Sequence, residues 1–437
     1  MTAPTRRALR FLTAGSVDDG KSTLIGRLLY DSRAILADQL SAIESRSAHA
    51  TRIDGGPSLD LSLLTDGLEA EREQGITIDV AWRYFATPRR KFVIADAPGH
   101  ERYTRNMVTA AAGSDAALVL VDITRLDLAA RPLALLTQTR RHTLLARLLR
   151  VPSIVFVVNK IDAVADPGPA FTAVRDAVLA FAKEGEITVA GVVPVSALRG
   201  DNVTRRLVTP WNHGPSLLEL LEGLPAGEDP AGSAGSRGFA LPVQYVTRDS
   251  GAAEGGDLRR TLWGRIARGA IRNGDAIEVF PSGERATVAE ILVAGRTVDT
   301  AQAGISAGIV LDRQLDVSRG DWLAAPAGLV PTRRFAAALA WLDTEPAVAG
   351  RKYQLRHGHR WVQARFAAIE SRLDIQTLRR EAADRLAVNE IGRVVVEAQE
   401  ALPVEPFESS RVGGSLIVVD PASNRTSGAL LVAAEAA

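Results

Sequence analysis

The sequence predicts an α/β domain with a mostly parallel sheet and a phosphate-binding loop, followed by two all-β barrel domains. Three observations support this. Short apolar runs alternate with helical patterns up to about Leu224, a glycine-rich turn joins the first run to the first helix, and beyond position 238 the pattern changes to short strands with turn signals.

Taken in order, ALRFLTAG, KFVIADAPG, AALVLVDI, PSIVFVVNK and ITVAGVVPVS each read as a buried strand, and helical stretches between them imply a parallel sheet covered on both faces. The segment GLPAGEDPAGSAGSRG, from Gly223 to Gly238, has almost nothing to bury and reads as a linker. After it come ALPVQYVTR, TLWGRIARG, a turn at Asn273-Gly274-Asp275, AIEVF and a turn at Pro281-Ser282-Gly283, the signature of an antiparallel barrel. A second break, APAGLVPTRR, precedes another strand-rich stretch that ends in GSLIVVD. The expected division is 1–224, a linker at 225–238, a barrel at 239–328 and a second barrel at 329–437.

A chain of 437 residues is long enough for about two to four domains. Its 52 basic and 51 acidic residues nearly cancel, which argues against a bulk nucleic-acid binder. Cysteine is absent, which excludes disulfides, thiolate metal sites and thiol catalysis, so a metal must be held by oxygen or by one of six histidines. The N-terminus has only a short apolar run and no stretch approaches membrane-spanning length, so the expectation is a soluble, cytoplasmic protein.

The motifs follow the strand ends. Gly15-Ser16-Val17-Asp18-Asp19-Gly20-Lys21-Ser22 matches G-x-x-x-x-G-K-[ST], follows a strand and opens a helix that begins with Ser22 and Thr23. Glycines let successive backbone N–H groups curl round an anion, and the helix N-terminus adds partial positive charge. Lys21 neutralises β/γ-phosphates and Ser22 offers a hydroxyl to Mg²⁺. Asp18 and Asp19 sit in a loop meant for a polyanion, so they should point outward or act structurally, with cation binding as the alternative.

Asp96-Ala97-Pro98-Gly99-His100 ends the strand KFVIA. A carboxylate there reaches the Mg²⁺ shell, through water in this reading, and Gly99 is placed to pivot on the γ-phosphate. His100 is then expected to position the attacking water, a role that glutamine takes in some phosphate-loop hydrolases. Asn159-Lys160-Ile161-Asp162 follows SIVFVV and decides the base: a carboxylate accepts from guanine N1–H and the 2-amino group, and adenine has neither donor. Asn159 and Lys160 should brace that loop, while Ser196-Ala197-Leu198 brings a backbone N–H to guanine O6. Thr77, within EREQGITID, is the candidate switch residue that caps Mg²⁺ when γ-phosphate is present; the bland alternative is a strand-edge threonine. The catalytic candidates are His100, Lys21 and Thr77, the metal candidates Ser22, Thr77 and Asp96, and the ligands GTP and Mg²⁺.

Four stretches carry a closer resemblance: GSVDDGKSTLIGRLLYDS, where translation factors usually have histidine in place of Asp19, DGLEAEREQGITIDVAWRYF, DAPGHERYTRNM, and Gln138-Thr139-Arg140-Arg141-His142. The chain resembles the translation-factor GTPases, and within them the GTPase subunits of bacterial sulfate adenylyltransferase. That resemblance extends through ALPVQYVTR and GGSLIVVDPASNRTSGA. It implies an α/β P-loop GTPase domain followed by two β-barrels, in a hetero-oligomer with a small subunit that transfers an adenylyl group from ATP to sulfate, driven by GTP hydrolysis. No nucleic acid or membrane partner is expected. With no second phosphate-loop motif, adenylylsulfate kinase activity should be absent. The rivals are an elongation factor-like GTPase that binds aminoacyl-tRNA and a stand-alone switch. Where many GTPases of this class have a shorter link, DITRLDLAARPLALLTQTRRH is long, and this departure is expected to leave the nucleotide motifs untouched. Arg140, Arg141 and His142 read as a solvated helix face or as an anion or partner contact, and RKYQLRHGHRW as a barrel hairpin.

Overall fold

The computed structural model describes residues 7–34, 61, 80–97, 104–226, 238–249, 259–375 and 377–434. The chain divides into two compact units, residues 1–227 with 375–378 and residues 228–374 with 379–437.

The first unit is built on strands β1 (Leu9–Ala14), β2 (Ala81–Ala86), β3 (Lys91–Asp96), β4 (Ala116–Asp122), β5 (Ser153–Asn159) and β6 (Val189–Pro194). Its helices are α1 (Lys21–Asp31), α2 (Thr104–Ala112), α3 (Thr137–Leu148), α4 (Pro167–Glu184) and α5 (Leu217–Gly223). The strands lie in the order β2-β3-β1-β4-β5-β6, and only β2 runs antiparallel to its neighbour. Sequence explains which strands are covered and which lies at the edge. The unbroken apolar runs of β4 and β5 are buried along their whole length, as a strand covered on both faces requires. On β2 the alternation of AWRYFA leaves Trp82 and Tyr84 exposed at the sheet edge and buries Phe85, which stacks on Phe92 with centroids 4.5 Å apart. The unit closes with α5, whose Ser216 and Glu219 form a reciprocal capping box.

The second unit holds an eight-stranded antiparallel sheet spanning 240–324 and a seven-stranded one spanning 332–432. Each curls round its own core: Phe239, Leu241, Ile277, Val288 and Ile309 in the first, Trp341, Tyr353, Phe366 and Val394 in the second. Turn chemistry sets the hairpins. Gly274 and Gly283 adopt positive φ at the two turns that the sequence marks. RKYQLRHGHRW does form a hairpin, with Lys352–His357 paired antiparallel to Arg360–Leu373.

Candidate functional site

Parallel strands of one sheet end on the same side, so β1, β3, β4 and β5 bring their following residues to one edge. The loop after β1 turns into α1 at Gly20, whose φ of 88° lies in the left-handed region and where a Cβ would meet Asn159 Nδ2 at 2.3 Å. Only glycine fits there. Lys21 opens α1 fully within the fold, and its Nζ donates to the carbonyls of Gly15 (3.1 Å) and Ser16 (2.7 Å). Burial pushes the ammonium below its usual range, opposed by the charges of Asp19, Asp96 and Asp18. Ser22 and Thr23, half-buried, follow in the first helical turn. The two loop acids part company: Asp18 is exposed, while Asp19 is wholly buried and its Oδ2 accepts from Ser16 N at 2.5 Å.

Asp96, at the end of β3, is buried and oriented by Thr13 Oγ1, which donates to its Oδ1 at 3.2 Å across the β1–β3 register. Ala97 beside it is also buried. Pro98, Gly99, His100 and Thr77 lie outside the described residues.

On the other side of the loop, Asn159 joins two segments. Its Nδ2 donates to the Asp19 carbonyl (2.9 Å) and its Oδ1 accepts from Ala197 N (3.0 Å). Lys160 takes a left-handed φ of 65° and places its Nζ 2.7 Å from Asp122 Oδ2. Asp162, in the short 3-10 turn that follows, has a side chain 13% exposed and faces Arg199 Nε at 3.8 Å. Ser196 is buried and its Oγ accepts from Arg199 N, so the Ser196-Ala197-Leu198 turn is fixed from within.

Three residues that sequence reasoning missed complete this edge. Asp122 ends β4 as Asp96 ends β3, and that shared position at a strand's C-terminal end was the available signal. Arg27 of α1 donates from Nε to Ala197 O (3.3 Å) and from Nη2 to Leu198 O. Arg125 donates to Val17 O at 2.8 Å. The last of these corrects the expectation that the long link after β4 leaves the nucleotide motifs untouched. For Arg27 and Arg125 nothing in the local sequence pointed to the contact.

The Gln138–His142 stretch lies on α3, where Thr139 and His142 are buried and Arg140 lies over the Phe181 ring, 4.6 Å from its centroid. Burial pushes the His142 imidazole down to about 3, so it is neutral at any physiological pH. That side chain is core, not a solvated face. Among the described residues no cluster of three or more His, Asp or Glu side chains forms a stand-alone metal site, and no helix is long and apolar enough to cross a membrane.

A parallel sheet with a G-x-x-x-x-G-K-S loop at its edge, a buried aspartate after β3 and an asparagine bridging the loop to the turn after β6 defines a P-loop GTPase of the translation-factor class. The Elongation factor Tu GTP binding domain matches residues 6–226, and the GTP-eEF1A C-terminal domain-like family matches 334–433. The chain is 43% identical over 433 residues to sulfate adenylyltransferase subunit 1 of Laribacter hongkongensis, covering 98% of this chain and 85% of that protein. It is 44% identical to the bifunctional enzyme NodQ of Azospirillum brasilense, covering 99% of this chain and 67% of that one. With the bifunctional enzyme CysN/CysC of Mycobacterium tuberculosis it shares 43% identity, covering 97% and 67%. The chain belongs to the sulfate adenylyltransferase subunit 1 family of these GTPases.

Proposed function

We propose that this chain is the GTP-hydrolysing subunit of a cytoplasmic sulfate adenylyltransferase, and that its turnover drives adenylyl transfer from ATP to sulfate on a smaller partner subunit. The observation that carries the nucleotide assignment is the pair of hydrogen bonds made by the Asn159 side chain. One side chain fixes the phosphate loop through the Asp19 carbonyl and the base loop through Ala197 N, so that both halves of a nucleoside triphosphate meet a single rigid frame. The sulfate reaction rests on the names of the relatives.

In this proposal the loop 15–22 holds the phosphates and Lys21 neutralises them. Asp162 selects guanine by accepting two hydrogen bonds, with the Ala197 turn at O6. The Ser22 hydroxyl and the Asp96 carboxylate are oxygen donors of the kind a hard cation takes, and Thr13 orients the second of them. Mg²⁺, when bound there, neutralises charge that develops on the phosphates. Thr77 is assigned to the switch and His100 to the attacking water on their motifs.

The test is co-purification with the small subunit, followed by a sulfate-dependent pyrophosphate release assay with and without GTP. Release that depends on sulfate and rises with GTP is the expected result. Tight binding of aminoacyl-tRNA with no sulfate-dependent release would overturn the proposal in favour of a translation factor.

A further inference from the structure

The link after β4 begins with a 3-10 turn, Ile123–Arg125, which Asp122 caps: its Oδ1 accepts from Thr124 N (2.9 Å) and Thr124 Oγ1 (2.6 Å). The cap aims Arg125 back at the phosphate loop. Its Nη1 donates to Val17 O at 2.8 Å and stands 3.5 Å from Asp19 Oδ1. The other Asp19 oxygen is held by Ser16 N, so this carboxylate ties the loop to itself on one side and to the β4 link on the other.

A wholly buried carboxylate inside a loop that wraps a polyphosphate costs energy unless cations compensate it. The charged groups that face Asp19 are Lys21 from α1, Arg125 from the turn and Asp122 from the end of β4. Asp122 is itself paired with Lys160. Burial is the largest influence on Asp19 and raises its proton affinity; Lys21 is the largest opposing charge, and Arg125 adds to it. Phosphates bound in the loop draw on Lys21, which leaves Arg125 as the cation that answers Asp19.

Resting on the guanine-nucleotide assignment above, we propose that Arg125 is a positioning residue for nucleotide binding: it anchors the phosphate loop at Val17 and compensates the Asp19 carboxylate once phosphates engage Lys21. Arg125 does not need to touch the nucleotide. Its role is exerted through the loop.

The experiment is GDP and GTP binding to the full chain with Mg²⁺, by calorimetry at neutral pH. Arg125 is 45% exposed, so the effect is that of a partly screened pair. R125A is expected to bind about tenfold more weakly than the parent chain. The isosteric D19N in an R125A/D19N double variant removes the uncompensated charge and should restore most of the affinity, and R125K should lie between. Loop bracing alone would leave the double variant as weak as R125A. Native affinity in R125A, or a double variant no better than R125A, overturns the proposal. If the parent chain binds no guanine nucleotide, it is the site assignment that fails, not the role of Arg125.

Discussion

At the carboxyl-terminal edge of the parallel sheet and at the seam between the two barrels the chain buries charged side chains, and their partners differ. At the sheet edge, Lys21 Nζ is bonded to two loop carbonyls, and the nearby carboxylates of Asp19 and Asp96 are each held by another group, Ser16 N and Thr13 Oγ1. At the seam, every guanidinium nitrogen of Arg268 is engaged: Nε faces both Glu405 oxygens at 3.0 and 3.3 Å, Nη1 donates to Gly238 O and Nη2 to Gly328 O at 2.7 Å. Beside it Trp322 of the first barrel stacks on His357 of the second, centroids 5.3 Å apart. The difference teaches how to tell the two uses of a buried charge. A cation whose arms all end on fixed partners orients structure, whereas one held only by loop carbonyls is, on the proposed function, the one whose charge serves a ligand.

The largest effects expected test that contrast directly. Lys21→Ala should abolish nucleotide binding. Arg268→Ala should leave nucleotide affinity near native but strand a buried Glu405, at about 3–5 kcal/mol of stability in the second unit, read by urea unfolding. Replacing both partners with apolar residues of similar volume should recover most of that loss. An Arg268→Ala chain that loses GTP affinity as Lys21→Ala does would break the distinction.

Next in size is His100. If it orients the attacking water, His100→Ala leaves GTP affinity close to native and lowers hydrolysis by on the order of 10²- to 10⁴-fold. On the proposed function, sulfate-dependent adenylyl transfer then loses its stimulation by GTP. Native turnover by this variant in the assembled complex makes the residue a structural member of its loop.

Asp162→Asn sharpens the same edge at the end to which base selection is assigned in the proposed function. The amide presents a donor where the carboxylate accepted, so GTP affinity should fall on the order of 10²-fold while xanthosine triphosphate binds better than before. Competition between the two nucleotides for one site checks this, and unchanged preference removes Asp162 from the base pocket.

What the sequence made legible follows the same division. The strands of the first unit announced themselves because a run such as SIVFVV has no place to go but a core, and the hairpins because Gly274 and Gly283 permit what other residues resist. Motif residues were legible because their spacing is local: Gly15 to Ser22 is one loop, and Asn159 to Asp162 one turn. The contacts of Arg125 with Val17, Arg27 with Ala197 and Arg268 with Glu405 were not, since they join positions 108, 170 and 137 residues apart. No periodicity encodes such a pairing; it exists only once the sheet order and barrel registers are fixed. Asp19 shows the limit most clearly. Its neighbour Asp18 has the same side chain and turns outward, and only the third dimension separates them.

The smallest effect near neutral pH, and the one that probes the seam most gently, concerns His357. Its Nε2 lies 3.0 Å from Gly413 O, its Nδ1 is buried without a hydrogen-bond partner, and burial pushes the imidazole down to about 4 from its ordinary 6.5. A histidine whose folded pKa is depressed is protonated first in the unfolded chain as pH falls. Its contribution to stability is therefore complete above pH 6.5 and is lost progressively between about 6.5 and 4. The full difference amounts to about 3 kcal/mol, but only about half of that has been lost by pH 5.5. His357→Gln keeps a donor for Gly413 O and does not titrate. Unfolding in urea, followed by the fluorescence of Trp322 and Trp341, should show this variant slightly less stable than the parent at pH 7.5, because the stack on Trp322 is lost. Below pH 6 the gap should narrow, since the parent alone carries the His357 penalty. His142 titrates in both chains and so drops out of the comparison. Parallel stability curves for the two chains from pH 7.5 down to 5 would mean that His357 meets acid in the folded barrels as freely as in the unfolded chain, and the seam would not be the dry contact that its burial and its stack describe.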